Sequence, residues 1–473
     1  MQAQTSILGS FGGGATDTVM HPVVAVAVVA AILCIIGLPR KYVIVPFLLA
    51  LFLLPAGQEL HLGGVHFYVP RILILFGIGR LAWAKLGAKQ RILTGGWNDL
   101  DKIFTCWAAL HVVVSLLYYF GEAAPFIQRL GFLWDTLGGY YFLRFLIRDT
   151  KDIERLAKTF AIIAGILGVA MLYEYTRDVN VFGYFGSIPV TPQFRVDKIR
   201  AQGPFAHPIL AGSFAATLLP FFVWLWRSKR TKLLAAVGVA GSTAMVISCS
   251  SSTPLTSYMA VIVGICFWPL RGQMRTVRWT FVILLAACSL VMKAPVWFLI
   301  ARVHLISGST GWHRANLIDV FFRHFGDWWL LGTDKQASWG FGNLDDLCEQ
   351  WIGEGETGGL ATLLCFILLI TQSFRRLGKA RRRLSKDPKQ EWLLWLIGVA
   401  LFAHCVGYFG ISYFDQTKYS WFVLLCIISA ATAPRLTAVR VSKHKKDQVE
   451  PDKEEGLSIS EPVLEPAIPQ HSG

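Results

Sequence analysis

The chain has 473 residues, of which 54% are hydrophobic and 16% are charged. This composition excludes an ordinary water-soluble globular protein, because such proteins carry about 25% charged residues. The formal net charge of +15 does not indicate a nucleic-acid partner, since that function needs a basic folded surface and the chain has no polar domain to form one.

Apolar runs of roughly 15 to 20 residues, about the length that a helix needs to cross a ~30 Å hydrocarbon core, recur from residue 22 to residue 434. In chain order they are 22–38, 42–55, 66–84, 103–120, 126–147, 156–176, 205–226, 233–248, 254–270, 277–292, 358–374, 392–412 and 418–434. The runs 42–55 and 126–147 are the weakest, because the first is short and the second carries three charged side chains. The sequence predicts an all-α, polytopic membrane bundle of about 12–13 transmembrane helices over residues 1–434, with no separate soluble catalytic domain.

The distribution of basic residues predicts how this bundle is oriented. If the runs alternate in direction, 33 of the 45 Lys and Arg residues fall on one side. Cytoplasmic loops carry the excess of Lys and Arg, so this side is expected to be cytoplasmic, with the N-terminus outside and the C-terminus inside. The end of the chain, 435–473, starts basic and becomes Glu/Pro/Ser-rich from Asp447. It is predicted to be a disordered cytoplasmic tail, because it cannot bury enough apolar surface to fold.

Two long segments fall on the predicted outer side, 177–204 and 293–357. Loops of this length in a compact protein are usually functional or disordered, and the second is too rich in Trp and Phe to be disordered. Within it, one amphipathic helix is expected from Arg314 to Phe325. Its apolar stripe would consist of Leu317, Ile318, Phe321, Phe322 and Phe325. This helix would lie on the bilayer or cap the bundle; an aromatic belt that only anchors the loop is the alternative.

Basic residues are scarce on the outer side, so those that remain there are candidate binding groups. Arg195 and Arg200 lie in the first outer loop and Arg314 lies in the second. The guanidinium group matches phosphate oxygens bidentately, so an outward-facing arginine cluster beside the membrane would suit the diphosphate of a lipid-linked substrate. The alternative is that these arginines contact anionic headgroups or pair with acidic neighbours, namely Asp178, Asp197, Asp319 and Asp327.

Two stretches resemble a known family. Arg200-Ala-Gln-Gly-Pro-Phe-Ala-His207-Pro208, which leads into an apolar run, is similar to the R-x-x-G-x-F-x-H-P signature of the O-antigen ligase and O-antigen polymerase family. The later order of parts is similar too. It consists of Trp312-His313-Arg314, Trp329-Leu330-Leu331-Gly332, and Glu354-Gly355-Glu356-Thr357-Gly358-Gly359-Leu360 opening the next run. The resemblance covers roughly residues 100 to 430.

This resemblance implies a metal-independent glycosyltransferase of the bacterial cytoplasmic membrane that needs no cofactor. Such proteins transfer a glycan from an undecaprenyl-diphosphate carrier to a sugar hydroxyl on a glycan or lipid-linked acceptor, as in lipopolysaccharide and other polysaccharide biosynthesis. By the same resemblance, Arg200 and Arg314 would bind the diphosphate, with Arg195 in support, and His207 would have a structural role. Ligase and polymerase activities remain alternatives that differ in the acceptor.

The sequence departs from the family at the presumed general base. The family places a His-Asn pair before the Glu-x-Gly that starts the following span, and the corresponding residues here, 345–351, contain no His. The first candidates to replace it are Asp346 and Glu354, followed by Glu349, and His313 is another substitute. The alternatives are that these acids cap helices or pair with the arginines, or that the chain has lost activity.

Two other functions are compatible with the sequence. A transporter or flippase for a lipid-linked or small anionic substrate would use ionisable residues within the spans, because charge at membrane depth is usually functional. The candidates are His111, Asp135, Glu174, Lys293 and His404. A non-catalytic scaffold would use the basic loop 375–389, although this loop is explained by topology alone.

Overall fold

The computed structural model describes residues 19–62, 65–87, 92–195, 198–302, 311–339 and 349–433. In chain order the α-helices are α1 (Pro22–Gly37), α2 (Arg40–Leu53), α3 (Val69–Leu86), α4 (Asp99–Tyr118), α5 (Ala123–Leu133), α6 (Gly139–Leu146), α7 (Thr150–Arg177), α8 (Pro208–Leu225), α9 (Lys232–Ser248), α10 (Ser252–Cys266), α11 (Met274–Val291), α12 (Gly311–Arg323), α13 (Phe325–Trp328), α14 (Gln350–Arg383), α15 (Pro388–Gly407) and α16 (Lys418–Ala431). Strand β1 (Glu59–Leu62) pairs antiparallel with β2 (Val65–Tyr68), and β3 (Gln193–Arg195) pairs antiparallel with β4 (Lys198–Arg200). The predicted tail 435–473 lies outside the described residues.

The apolar helices confirm the predicted all-α, polytopic membrane bundle. In the described part of the chain, 7 helical segments are long and apolar enough to cross a membrane. They are Asp99–Tyr118, Thr150–Arg177, Pro208–Leu225, Lys229–Ser248, Trp268–Val291, Gln350–Arg383 and Pro388–Gly407. The shorter helices α1, α10 and α16 are also apolar. The total of about 12–13 spans and the orientation of the termini stay predictions.

Helix α8 forms the centre of the bundle, because nearly all of its residues are buried. It packs against α9, which in turn crosses α7 at very short distance. At this crossing Gly168 meets Gly241, and a Cβ atom on Gly241 would lie 2.1 Å from the carbonyl oxygen of Ala164. Helix α11 is the opposite case: none of its residues is buried. The polar loop that precedes α8 is therefore attached to a helix that is almost wholly enclosed by the rest of the bundle.

The weak apolar run 126–147 forms α5, a π-helical turn (Trp134–Gly138) and α6 in succession. Two of its three charged residues have counter-charges inside the protein. Asp135, in the π turn, accepts hydrogen bonds from Arg71 Nε at 3.1 Å and from Lys418 Nζ at 3.2 Å. Arg144 pairs with Asp101. The partners come from distant helices, so they are not visible in the local sequence.

The amphipathic helix expected from Arg314 to Phe325 is two helices in the structure. Helix α12 ends at Arg323 and α13 begins at Phe325. Leu317, Ile318 and Phe321 are buried in one apolar cluster with Trp328 and Ile352, whereas Phe322 and Phe325 are exposed. Because Ile352 belongs to α14, the buried face of α12 covers the beginning of that membrane-spanning helix.

Candidate functional site

The loop that contains the first motif is fixed by its backbone to the ends of two long helices. Arg200 ends β4, and the next residue, Ala201, donates its N–H to the carbonyl of Ser248 at the end of α9 (3.0 Å). The Glu174 carboxylate near the end of α7 accepts hydrogen bonds from the N–H groups of Gln202 (3.0 Å) and Gly203 (2.8 Å). Two buried backbone donors are thereby satisfied, and the loop is held in one conformation.

The second half of this loop is fixed to the entrance of α16 and to the beginning of α8. The carbonyl of Pro204 accepts a hydrogen bond from Gln416 Nε2 (3.0 Å), and Ala206 N–H donates to Asp415 Oδ2 (3.0 Å). His207 is the N-cap of α8, where its Nδ1 accepts from the N–H of Ile209 at 3.2 Å. Side chains at N-caps stabilise helix ends in this way. His207 thus contacts backbone at the start of the central helix.

The guanidinium group of Arg200 lies inside this loop, next to two other cations. The residue is 6% exposed, and its Nε and Nη2 atoms are buried with no hydrogen-bond partner among the described residues. Burial lowers the pKa of Arg200, and the neighbouring charges of Arg195 and Arg314 lower this pKa further. Like charges disfavour each other's charged form only when they lie close together. The structure thus brings together the three arginines that the sequence analysis selected, with Arg195 at the exposed end of β3.

Arg314 reaches this position because α12 is held against the beginning of α14. The residue is 8% exposed. Two turns further along the helix, the Phe321 ring stacks on Trp328 with a centroid distance of 3.9 Å. Both rings cover Gly355, where a Cβ atom would lie 2.5 Å from Phe321. The tight contact at Gly355 fixes the distance between α12 and α14, and with it the position of Arg314.

Two of the stretches that carry the family resemblance are hydrogen-bonded to each other. The N–H of Thr333 donates to the carbonyl of Glu356 at 2.7 Å, and the N–H of Leu360 donates to the carbonyl of Trp329 at 2.8 Å. These bonds hold the segment after α13 on the first turns of α14. Because this segment follows α12 and α13 in the chain, these bonds help to fix the position of the acidic residues of α14 relative to α12.

Glu349, the N-cap residue of α14, is a buried acid beside Arg314. It is 1% exposed, and neither of its carboxyl oxygens has a hydrogen-bond partner among the described residues. Burial raises the pKa of Glu349 well above its usual value; the charge of Arg314 lowers this pKa and that of Glu356 raises it. The carboxyl group of Glu349 therefore lies close to both an arginine and a second acid.

Glu354, one of the two acids that the sequence analysis favoured as base, lies in a different network. It is 1% exposed and accepts hydrogen bonds from Trp107 Nε1 and Gln350 Nε2, both at 2.7 Å. Its Oε2 also lies 2.8 Å from His111 Nε2. These contacts tie Glu354 to α4. The other favoured acid, Asp346, lies outside the described residues.

The remaining candidates have simpler surroundings. His313 is half-buried, directly before Arg314 on α12. Glu356 was not selected from the sequence, although it belongs to the Glu-Gly-Glu motif; it is buried, and one of its oxygens has no hydrogen-bond partner among the described residues. Nothing in the local sequence separates it from Glu354. In the described ranges, no group of three or more His, Cys, Asp or Glu residues is arranged to hold a metal ion.

Comparison with known proteins adds no assignment to this geometry. No model of a known protein family matches the chain. No curated protein matches it by sequence either. The relation to O-antigen ligases and polymerases therefore stays a prediction from the motifs.

Proposed function

We propose that this protein is a membrane glycosyltransferase that moves a glycan from an undecaprenyl-diphosphate carrier to a sugar hydroxyl on the outer face of the bacterial cytoplasmic membrane. The observation that supports this proposal most strongly is that Arg200 lies within the electrostatic influence of Arg314. They come from two separate outer segments, both are buried, and the charge of Arg314 acts on Arg200. Two cations are brought together only at a cost, which an anionic ligand would offset.

The charges around this pair favour an anion as the ligand. Arg200 has two buried nitrogen atoms without a hydrogen-bond partner in the described chain. Burial raises the pKa of Glu349, the acid beside Arg314, well above its usual value, so this carboxyl group is a weaker counter-charge for the arginine than an ordinary glutamate. A diphosphate would accept hydrogen bonds from the guanidinium groups and balance their charge.

The same groups would stabilise the reaction. When the anomeric C–O bond breaks, negative charge builds up on the departing diphosphate. Cations that are already fixed in a dry site stabilise this charge without having to reorganise. Arg200 is fixed through the backbone bonds of its loop, and Arg314 through the contact between α12 and α14.

The transporter alternative has less support, because four of the five ionisable candidates have partners within the protein and the fifth, Lys293, is exposed. His111 lies 2.8 Å from Glu354, and Asp135 pairs with Arg71 and Lys418. Glu174 accepts two backbone hydrogen bonds, and His404 Nδ1 lies 3.1 Å from Tyr413 Oη. None of these four groups needs a transported ion to satisfy it.

We expect Arg200→Ala and Arg314→Ala each to lower glycan transfer at least about 100-fold, the usual effect of removing one preorganised group that stabilises transition-state charge. The measurement is the amount of surface glycan in source cells whose own copy has been removed and replaced by the variant. Arg314→Lys should restore only part of the activity, because an ammonium group lacks the bidentate fork. An immunoblot of isolated membranes checks that each variant is inserted.

The matched control is Arg177→Ala, which removes an exposed arginine at the end of α7 and should leave surface glycan unchanged. Normal surface glycan in both the Arg200 and Arg314 variants would reject the diphosphate site and, with it, the transferase assignment. Loss of glycan in the Arg177 control as well would show that surface glycan depends on the overall positive charge of this face and not on Arg200 and Arg314 in particular. That result would also reject the assignment.

A further inference from the structure

The carboxyl group of Glu349 has surroundings that neither of its acidic neighbours shares. It is buried at the N-terminal end of α14 and has no hydrogen bond through either oxygen in the described part of the chain. A buried carboxyl group without a partner costs free energy, so a fold retains one only where something else uses it. Its position beside Arg314 puts that use next to the proposed donor site.

The neighbouring acids are occupied by other contacts. Both oxygens of Glu354 receive hydrogen bonds, from Trp107 on one side and Gln350 on the other. Glu356 lies near the side chain of Gln336, and its Oε2 is the one oxygen with no hydrogen-bond partner among the described residues. Of the three described acids at the beginning of α14, Glu349 is therefore the one with neither oxygen hydrogen-bonded within the described residues, so both oxygens can receive a substrate hydroxyl.

We propose that Glu349 is the general base of this protein and marks the acceptor site, where it binds the attacking sugar hydroxyl. This inference rests on the proposed transferase function and assigns the base that the sequence leaves undetermined. In the step, the acceptor oxygen forms the new bond to the anomeric carbon while its proton passes to a Glu349 oxygen. The bond between the anomeric carbon and the diphosphate oxygen breaks, and its electron pair leaves with the diphosphate held by Arg200 and Arg314.

The electrostatic surroundings suit this role. The best general base has a pKa near the working pH, because it must be ionised and still bind a proton well. Burial and Glu356 raise the pKa of Glu349, while Arg314 opposes them. The rate requires the carboxylate form, which is present above the pKa. Transfer should therefore rise with pH through a range well above that of an ordinary glutamate.

The first experiment measures transfer in inner-membrane vesicles that contain the cell's own lipid-linked glycan and acceptor. Glu349→Gln keeps the shape of the side chain but cannot take a proton, and we expect transfer to fall about 100-fold or more. Glu349→Asp should retain part of the activity.

Glu356→Gln should move the rising limb of the pH profile to lower pH, because it removes the neighbouring negative charge. The control is Glu122→Gln, at an exposed acid before α5, which should change neither rate nor profile.

The second experiment separates this inference from the proposed function by measuring binding of farnesyl diphosphate to the purified protein in detergent. We expect Glu349→Gln to bind this probe within about threefold of the unchanged protein, whereas Arg200→Ala and Arg314→Ala should weaken binding at least tenfold, since each removes a charge-assisted contact to phosphate.

Each outcome decides one of the two proposals. Normal transfer by Glu349→Gln would overturn the assignment of Glu349 as the general base, while the proposed donor site would stand if the arginine variants are inactive. If Glu349→Gln loses both transfer and farnesyl-diphosphate binding, the assignment as general base is also overturned, because Glu349 then only positions Arg314. If the arginine variants bind the probe and transfer glycan normally, the proposed function itself fails.

Discussion

Replacing Asp101 with alanine is expected to lower the free energy of unfolding by about 3–5 kcal/mol, because it leaves a buried arginine without its counter-charge. Arg144 donates to both oxygens of Asp101, with Nε at 2.9 Å and Nη2 at 3.1 Å, and both side chains are fully buried. The hydroxyl of Tyr140 donates to the same carboxylate at 2.7 Å. Unfolding in detergent by increasing SDS, followed by circular dichroism, measures the difference.

The control for this prediction is an exposed ion pair of the same protein. Lys158 and Glu154 pair at 2.6 Å on the surface of α7, and Lys158→Ala should cost less than about 1 kcal/mol. The double variant Asp101→Leu with Arg144→Met should recover much of the lost stability, since apolar side chains can replace a buried pair. If Asp101→Ala is no more destabilising than Lys158→Ala, the pair does not stabilise the folded bundle.

The membrane helices could be predicted from the sequence because their signal is local. A run of apolar residues is sufficient to define a span in lipid, where every backbone polar group must be satisfied within the helix. The charges in 126–147 weakened one prediction for the same reason, since Asp135 and Arg144 find their partners on other helices. Pairing between distant helices leaves no trace in a local pattern. The break between α12 and α13 was missed because the apolar spacing continues across His324.

The candidate site could be predicted only where a short motif marks it. Arg200 and Arg314 each stand in such a motif, and the structure brings them together. The choice among the acids could not be made in this way, because it depends on which oxygens are already occupied. Glu354 and Glu349 are five residues apart, yet the first accepts hydrogen bonds from α4 and the second has no partner within the described residues. That distinction comes from the packing of α14 against α4 and α12.

Replacing Gly359 with alanine is the second substitution from which we expect a large effect. Gly359 interrupts α14 with φ 69° and ψ −177°, a conformation that is essentially restricted to glycine. A Cβ atom there would lie 2.6 Å from the carbonyl oxygen of Leu330, which is backbone and cannot rotate away. The strained conformation costs about 1–3 kcal/mol and the forced displacement about 1–3 kcal/mol more, so the free energy of unfolding should fall by about 2–6 kcal/mol.

This substitution also tests how the acids are positioned. Gly359 separates the first turns of α14, which carry Glu349 and Glu356, from the apolar part of the helix. A straightened helix would move both acids relative to Arg314, so glycan transfer should fall even at temperatures where the protein stays folded. The matched control is Gly378→Ala in the same helix, where a Cβ atom meets nothing within 4 Å. That change should stabilise the helix by up to about 1 kcal/mol and leave transfer unchanged. Equal stability and equal transfer in the two alanine variants would mean that the bend at Gly359 holds neither the fold nor the site.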